Sequence, residues 1–307
     1  MSSNSEKTTH ERFSKEDCIT DDQKNFFLEN GYLILRNVLR GEELMRLQRK
    51  MTELMSPALK ETIDHPDYMY KPGHVTGNPT LARIEYVVDK VYEAQVLLGH
   101  PFILRSVEKI TGSDLIPTWD SMVLKLPGEG IIVPWHRDSG TDAVGDVPIF
   151  NVDFYLDHAD EDTCLWAYPG SHRWSEEQIR PILNQKGFST EGAVPLLMSP
   201  GDVLFHDILL LHGSPSNSSN KLRRVMYYEF RTASVESVKG PHTPEYIPLK
   251  QCVLMHCIDL RKQAPYIDPR EKPFEYNPPE DFSPFQNEVN IQLETLRYPH
   301  ENFWRHF

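Results

Sequence analysis

Residues 118–231 are written in short runs of β-branched and aromatic residues separated by Pro, Gly, Asn and Asp. Runs of that length suit strands, and many short strands divided by turn residues are the sequence signature of a jelly roll. The expected fold class is mainly β with flanking helices, a double-stranded β-helix (jelly-roll, cupin-like) barrel with its core over 118–231. Ahead of it, Thr20-Asp21-Asp22-Gln23 reads as a helix start and Gly31 as its stop, followed by a strand at Tyr32-Leu33-Ile34-Leu35. Leu44, Leu47, Met51 and Leu54 then recur at helical spacing over residues 41 to about 55. Further helices are expected over about 91–112 and 249–262. Residues 57–78 show no periodicity and are expected to form a long loop over the site. The chain reads as one domain, 1–307, with 1–20 disordered or loosely attached and 235–307 a proline-rich tail that wraps the barrel.

The chemistry is concentrated at Trp135-His136-Arg137-Asp138 and Leu211-His212-Gly213-Ser214. In a strand or its extension, residues two apart point to the same side, so His136 and Asp138 can meet on one ion while Arg137 points away. The third ligand must come from another strand, and His212 ends the apolar run that begins at Val203. Two imidazoles and one carboxylate hold non-haem Fe(II) on one face and leave the other open to co-substrates and O2. A His-x-Asp pair alone is weak evidence, since a solvated surface turn has the same sequence.

His136, Asp138, His212 and Arg223, with Gly213-Ser214 directly after the second histidine, together resemble the phytanoyl-CoA dioxygenase family of Fe(II)- and 2-oxoglutarate-dependent oxygenases. The resemblance runs through DQKNFFLENGYLILRNVL, TWDSMVLKLPGEGIIVPWHRD, TCLWAYPGSHRW and PGDVLFHDILLLHGSPSNSSNKLRR. It implies Fe(II) on His136, Asp138 and His212, 2-oxoglutarate and O2 as co-substrates, and hydroxylation of a small molecule with release of succinate and CO2. It also implies a bidentate pair between Arg223 and the distal carboxylate of 2-oxoglutarate, which a planar guanidinium suits. Ser214 would help hold that group, with Lys90, Met122 and Asp153 along the co-substrate pocket. Asp153 departs from the tryptophan frequent in the family, and a carboxylate there would repel the dianion unless protonated or turned away. Arg224 competes with Arg223, but alternation lets only one face inward, and the offset from His212 favours Arg223. Related halogenases carry a small residue in place of the carboxylate, so Asp138 implies hydroxylation or another oxygenase outcome such as desaturation.

Composition narrows the partners. A net charge of −13 over 307 residues argues against nucleic acid, which needs clustered Lys and Arg, and weighs mildly against an acyl-CoA. Four cysteines without CxxC spacing imply neither a disulfide framework nor a zinc site. No apolar run is long enough to span a bilayer, and the polar N-terminus has no signal core, so a cytoplasmic protein acting on a small molecule, away from membranes, is expected.

Other residues have plainer roles. His172 reads as a loop-ordering histidine, His206 as a core group or one behind the ligands, and His158 as part of a solvated acidic turn. Trp119, Trp135, Trp166 and Tyr228 read as core, though some can line the substrate pocket. Tyr68, Tyr70, Lys71 and Arg83 fall in the stretch 57–83, expected to form a lid or rim that selects substrate. Two other classes account for part of the pattern: a non-catalytic jelly-roll module binding a small molecule or metal, and a cupin-type metal enzyme that does not use 2-oxoglutarate. The first has no need of a carboxylate clamp, and the second usually recruits more histidines.

Overall fold

Thr20 starts helix α1 (Asp21–Asn30) by a reciprocal cap: its Oγ1 accepts from the Gln23 N–H at 3.1 Å, and Gln23 Oε1 accepts from the Thr20 N–H at 2.9 Å. Gly31, at φ 78°, ends the helix in the left-handed region that favours glycine. Ile19 is 1% exposed and its N–H is held by Ser106 Oγ, so the chain is anchored ahead of the point expected. The structure is a computed structural model that describes residues 17–138, 147–185, 187–240, 242 and 246–282. The expectations for residues 1–16 and for the tail beyond 282 lie outside the described residues.

Helix α2 (Gly41–Lys60) runs past the expected end because Met55 and Ala58 continue its buried face. The single helix expected over 91–112 is instead α4 (Tyr92–Leu98) and α5 (Pro101–Thr111), preceded by the one-turn α3 (Val87–Lys90). Pro101 has no N–H for a helix interior and pushes His100 to extended backbone, so a new helix starts there. Helices α6 (Glu176–Leu183), α7 (Ala233–Lys239) and α8 (Tyr246–Gln263) complete the set. After α8 the chain crosses back over the helices, with Phe274 in the core and the Tyr276 hydroxyl donating to the Leu115 carbonyl.

Seven strands, β1 (Tyr32–Leu35), β2 (Tyr68–Pro72), β3 (Pro79–Glu85), β4 (Leu115–Lys125), β6 (Phe150–Tyr155), β9 (Val203–Asp207) and β11 (Arg223–Thr232), form one antiparallel sheet in the order β1-β9-β6-β11-β4-β3-β2. Four more, β5 (Val133–His136), β7 (Leu165–Ala167), β8 (Val194–Leu196) and β10 (His212–Ser214), form the second in the order β5-β10-β7-β8. This is the jelly-roll arrangement of facing sheets with flanking helices. Among the described residues no strand pairing closes the two sheets into a barrel. Residues 68–85, expected mostly as loop, are the β2–β3 hairpin that extends the larger sheet.

Alternation sorts the larger sheet into two faces. Met122, Val152, Phe154, Phe205, Met226 and Phe230 pack with Leu47, Met51, Leu97, Leu104 and Leu254 of the helices. Tyr155, Leu204 and Val225 pack instead with Leu165, Ala167 and Leu196 of the smaller sheet. Each fully buried side chain of this kind stabilises the fold by about 1.5–3 kcal/mol. The helix-side layer therefore holds the larger sheet rigid, and its other face is left for chemistry.

Candidate active site

β5 and β10 are neighbours, and His136 and His212 stand directly opposite each other across them. Both rings are fixed in the same way, Nδ1 lying 2.8 Å from the Pro134 carbonyl and 2.9 Å from the Leu210 carbonyl. A carbonyl only accepts, so each proton sits on Nδ1 and both Nε2 lone pairs are left to converge. Asp138 follows β5, its N–H held by the Ile208 carbonyl at 2.8 Å. Its Oδ1 lies 3.3 Å from His136 Nε2 and 3.8 Å from His212 Nε2. One ligand atom from each of the three lies within 4.8 Å of the others, close enough to share a metal ion. Burial, reinforced by the nearby His136, pushes His212 down to about 3, which keeps it the neutral imidazole that metals require. Burial alone would raise the Asp138 carboxyl, but the His212, His136 and His206 rings around it hold it well below the usual carboxylate range. Arg137 points away and donates to the carbonyls of Ser171 and Trp174.

Gly213 has a steric reason to follow His212. A Cβ there would lie 2.8 Å from the Phe188 ring and 2.9 Å from the Val133 carbonyl, so only glycine lets β10 approach β5 this closely. Ser214, the next residue, turns its hydroxyl into the same cavity.

Arg223 opens β11 on the face toward the smaller sheet, while Arg224 faces the helices and pairs with Asp157 at 2.8 Å and Thr52 at 2.6 Å. Arg223 is 1% exposed, yet its Nε and Nη1, together with the Ser214 and Tyr155 hydroxyls, have no hydrogen-bond partner among the described residues. A buried donor left unpaired costs about 1–3 kcal/mol, and a charged one more. A carboxylate reaching this corner would satisfy several at once, so the residues present fit the distal end of an oxo-acid. Lys125 lies nearby and donates to the carbonyls of Ile131 and Pro215, and burial plus the Arg223 charge push it down to about 6.

His136, Asp138, His212, Ser214, Arg223 and Lys125 share one cavity of about 710 Å³. Its remaining wall is mostly apolar, formed by Met69, Trp119, Val123, Ile131, Trp135 and Leu183, with Lys71, Arg83, Arg137, Glu176 and Glu229 as charged exceptions.

Two expected pocket residues are elsewhere. Lys90 sits on α3, its Nζ 2.5 Å from Asp67 and 3.2 Å from the Tyr86 carbonyl, and Met122 faces the helix-side core because β4 turns Val123 and Lys125 inward instead. Asp153 does face inward, but its Oδ2 bonds His206 Nδ1 at 2.8 Å and it does not line the cavity. On β2 alternation likewise splits the expected rim: Met69 and Lys71 line the cavity, whereas Tyr68 packs on the helices and the Tyr70 hydroxyl bonds the Ala58 carbonyl and the Ile63 N–H. Trp119 and Trp135, expected as core, line the cavity, and His172 orders its loop through the Leu28 carbonyl. Sequence reading did not single out Lys125 or Asn151. A lysine sharing the parity of Trp119 and Val123 in an apolar strand was the available signal for the first.

Residues 27–225 match the family model described as phytanoyl-CoA dioxygenase (PhyH). The chain is similar to the human protein "Phytanoyl-CoA dioxygenase, peroxisomal", 23% identical over 249 residues that cover 72% of each chain. Among solved structures, AviO1 from Streptomyces viridochromogenes Tue57 is 27% identical with a TM-score of 0.60, covering 73% of this chain and 97% of that one. EvdMO1 is 29% identical with a TM-score of 0.58 over 69% of this chain, which spans about half of that protein's length (49%). With a metal-ligand set of two histidines and a carboxylate, a buried arginine with unpartnered nitrogens in the same cavity and a family match over residues 27–225, the chain belongs to the phytanoyl-CoA dioxygenase family of Fe(II)- and 2-oxoglutarate-dependent oxygenases.

Proposed function

We propose that this enzyme hydroxylates a small molecule with a largely apolar body, using Fe(II) on His136, Asp138 and His212 and 2-oxoglutarate anchored by Arg223 and Ser214. The observation that carries the reading is the buried Arg223, whose Nε and Nη1 have no partner among the described residues, in the same cavity as the unpartnered Ser214 hydroxyl and the three ligands. Fe(II) with 2-oxoglutarate and O2 supplies oxidative decarboxylation, releasing succinate and CO2 and returning oxygen to a C–H bond. The protein fixes the three donors on adjacent strands or their extension, offers the dianion the buried Arg223 guanidinium, and walls the site from water with Trp119, Trp135 and Val123. The retained Asp138 carboxylate supports hydroxylation. Lys71 and Arg83 mark where a polar group of the substrate would be recognised.

The test is succinate release by the purified protein with Fe(II), 2-oxoglutarate and O2, combined with a metabolite screen for products heavier by one oxygen atom. Succinate that depends on both Fe(II) and 2-oxoglutarate is expected. Its absence under every substrate mixture, with iron bound, would overturn the reading.

A further inference from the structure

His206 and Asp153 lie behind the metal ligands and are both fully buried, at 1% and 0% exposed. His206 Nδ1 is 2.8 Å from Asp153 Oδ2 and its Nε2 is 3.2 Å from Asp138 Oδ2. Asn151 Nδ2 also donates to Asp138 Oδ2, at 2.9 Å, and lies 3.2 Å from His206 Nε2. Two donors converging on one oxygen approach each other in this way. The Asp138 carboxylate is thereby divided: Oδ2 is taken by the protein, and Oδ1 is the atom near His136 and His212.

We infer that His206, held by Asp153 and joined by Asn151, is a positioning residue that fixes Asp138 as a one-oxygen ligand. The inference rests on the metal assignment made above. A carboxylate whose second oxygen already accepts two hydrogen bonds is poorly placed to swing and chelate through both oxygens, so the open face of the ion is preserved for co-substrates. It also gives Asp153 a role. The carboxylate that departs from the family's frequent tryptophan holds the histidine through Oδ2 at 2.8 Å, while its Oδ1 has no hydrogen-bond partner among the described residues. Groups behind a ligand typically change metal affinity 10–100-fold when removed.

The experiment titrates Co(II) into the metal-free full chain and reads affinity and the visible ligand-field spectrum, with the melting temperature of each metal-free variant alongside. H206F, which keeps bulk but has no donor, is expected to bind roughly 10–100-fold more weakly with an altered spectrum, and H206Q, whose amide can donate to Asp138, to recover most of the loss. D153N keeps the histidine but removes its charge partner, and a roughly tenfold loss is expected, which tests the idea even where H206F does not fold. H206F and D153N binding Co(II) with wild-type affinity and spectrum would overturn the inference while leaving the metal site intact. A wild-type protein whose Co(II) binding is indifferent to H136A and H212A would instead overturn the metal assignment itself.

Discussion

The rings of His136 and His212 are 4.3 Å apart between centroids because the two residues occupy paired positions on β5 and β10. The metal site is therefore written into a strand register, and anything that separates these strands separates two ligands together. His212→Ala is expected to lower iron to well below one equivalent and to abolish succinate formation, without the loss of core that a Leu211 change would bring. Iron analysis beside turnover checks this, and normal iron content with normal activity would refute the ligand set.

Gly213→Ala tests the register directly. The added Cβ meets backbone at Val133 and the Phe188 ring, so β10 must move away from β5. Overpacking of this kind costs about 1–3 kcal/mol. Weaker iron binding with a lowered melting temperature is expected, although no ligand has been changed. A variant as stable and as metal-avid as the wild type would show that the strands have slack.

Arg223 and Arg224 should separate function from stability. Arg223→Ala removes a desolvated carboxylate partner, a loss on the order of 2–5 kcal/mol, so the 2-oxoglutarate requirement should rise by roughly thirty-fold or more. Arg224→Ala instead leaves the Asp157 carboxylate without its partner on the helix side, and should lower the melting temperature with little change in co-substrate KM. The reverse ranking would place the strand one residue out of register.

The hairpin predicts a similar split across alternate residues. Arg83→Ala should reduce product formed per succinate released, because Arg83 lines the cavity. Tyr70→Phe should instead loosen the join between α2 and β2, since its hydroxyl binds only backbone there. Measuring product and succinate together, with melting curves, distinguishes the two.

Glu85 gives a pH signature. Burial raises its carboxyl to about 7, only partly offset by Arg83 and the Trp119 indole N–H. The folded state thus holds this proton more tightly than the unfolded chain does. The stabilisation, on the order of 3 kcal/mol at most, is fully present below the ordinary carboxyl range and is lost as pH rises through 7. Wild type should lose more stability than Glu85→Gln between pH 5 and pH 8 in denaturant titrations, and parallel curves would exclude the effect.

The sequence exposed what depends on short-range geometry. His136 and Asp138 are two residues apart in extended backbone, and Arg223 was separable from Arg224 by alternation together with its offset from His212. Lys90 and Met122 were carried by resemblance instead: Met122 falls on the helix-side face because one residue of offset in a strand reverses the face, and Lys90 sits on α3, where it pairs with Asp67. The β2–β3 hairpin was hidden for a different reason. Tyr68 and Tyr70 meet helices while Met69 and Lys71 meet a cavity, so neither face is cleanly polar and no alternation shows. His206 and Asp153 could be noticed singly, but their pairing joins strands β9 and β6, a contact no local pattern announces.

The iron ligands and Ser214 belong to the smaller sheet or its extension, while Arg223 belongs to the larger. An oxo-acid held at one end by a metal on these ligands and at the other by Arg223 would be a staple between two layers that no strand pairing joins among the described residues. Such a molecule would add a polar tie between the sheets to the apolar packing of Tyr155, Leu204 and Val225 against Leu165, Ala167 and Leu196, so the loaded protein is expected to melt at a higher temperature than the empty one.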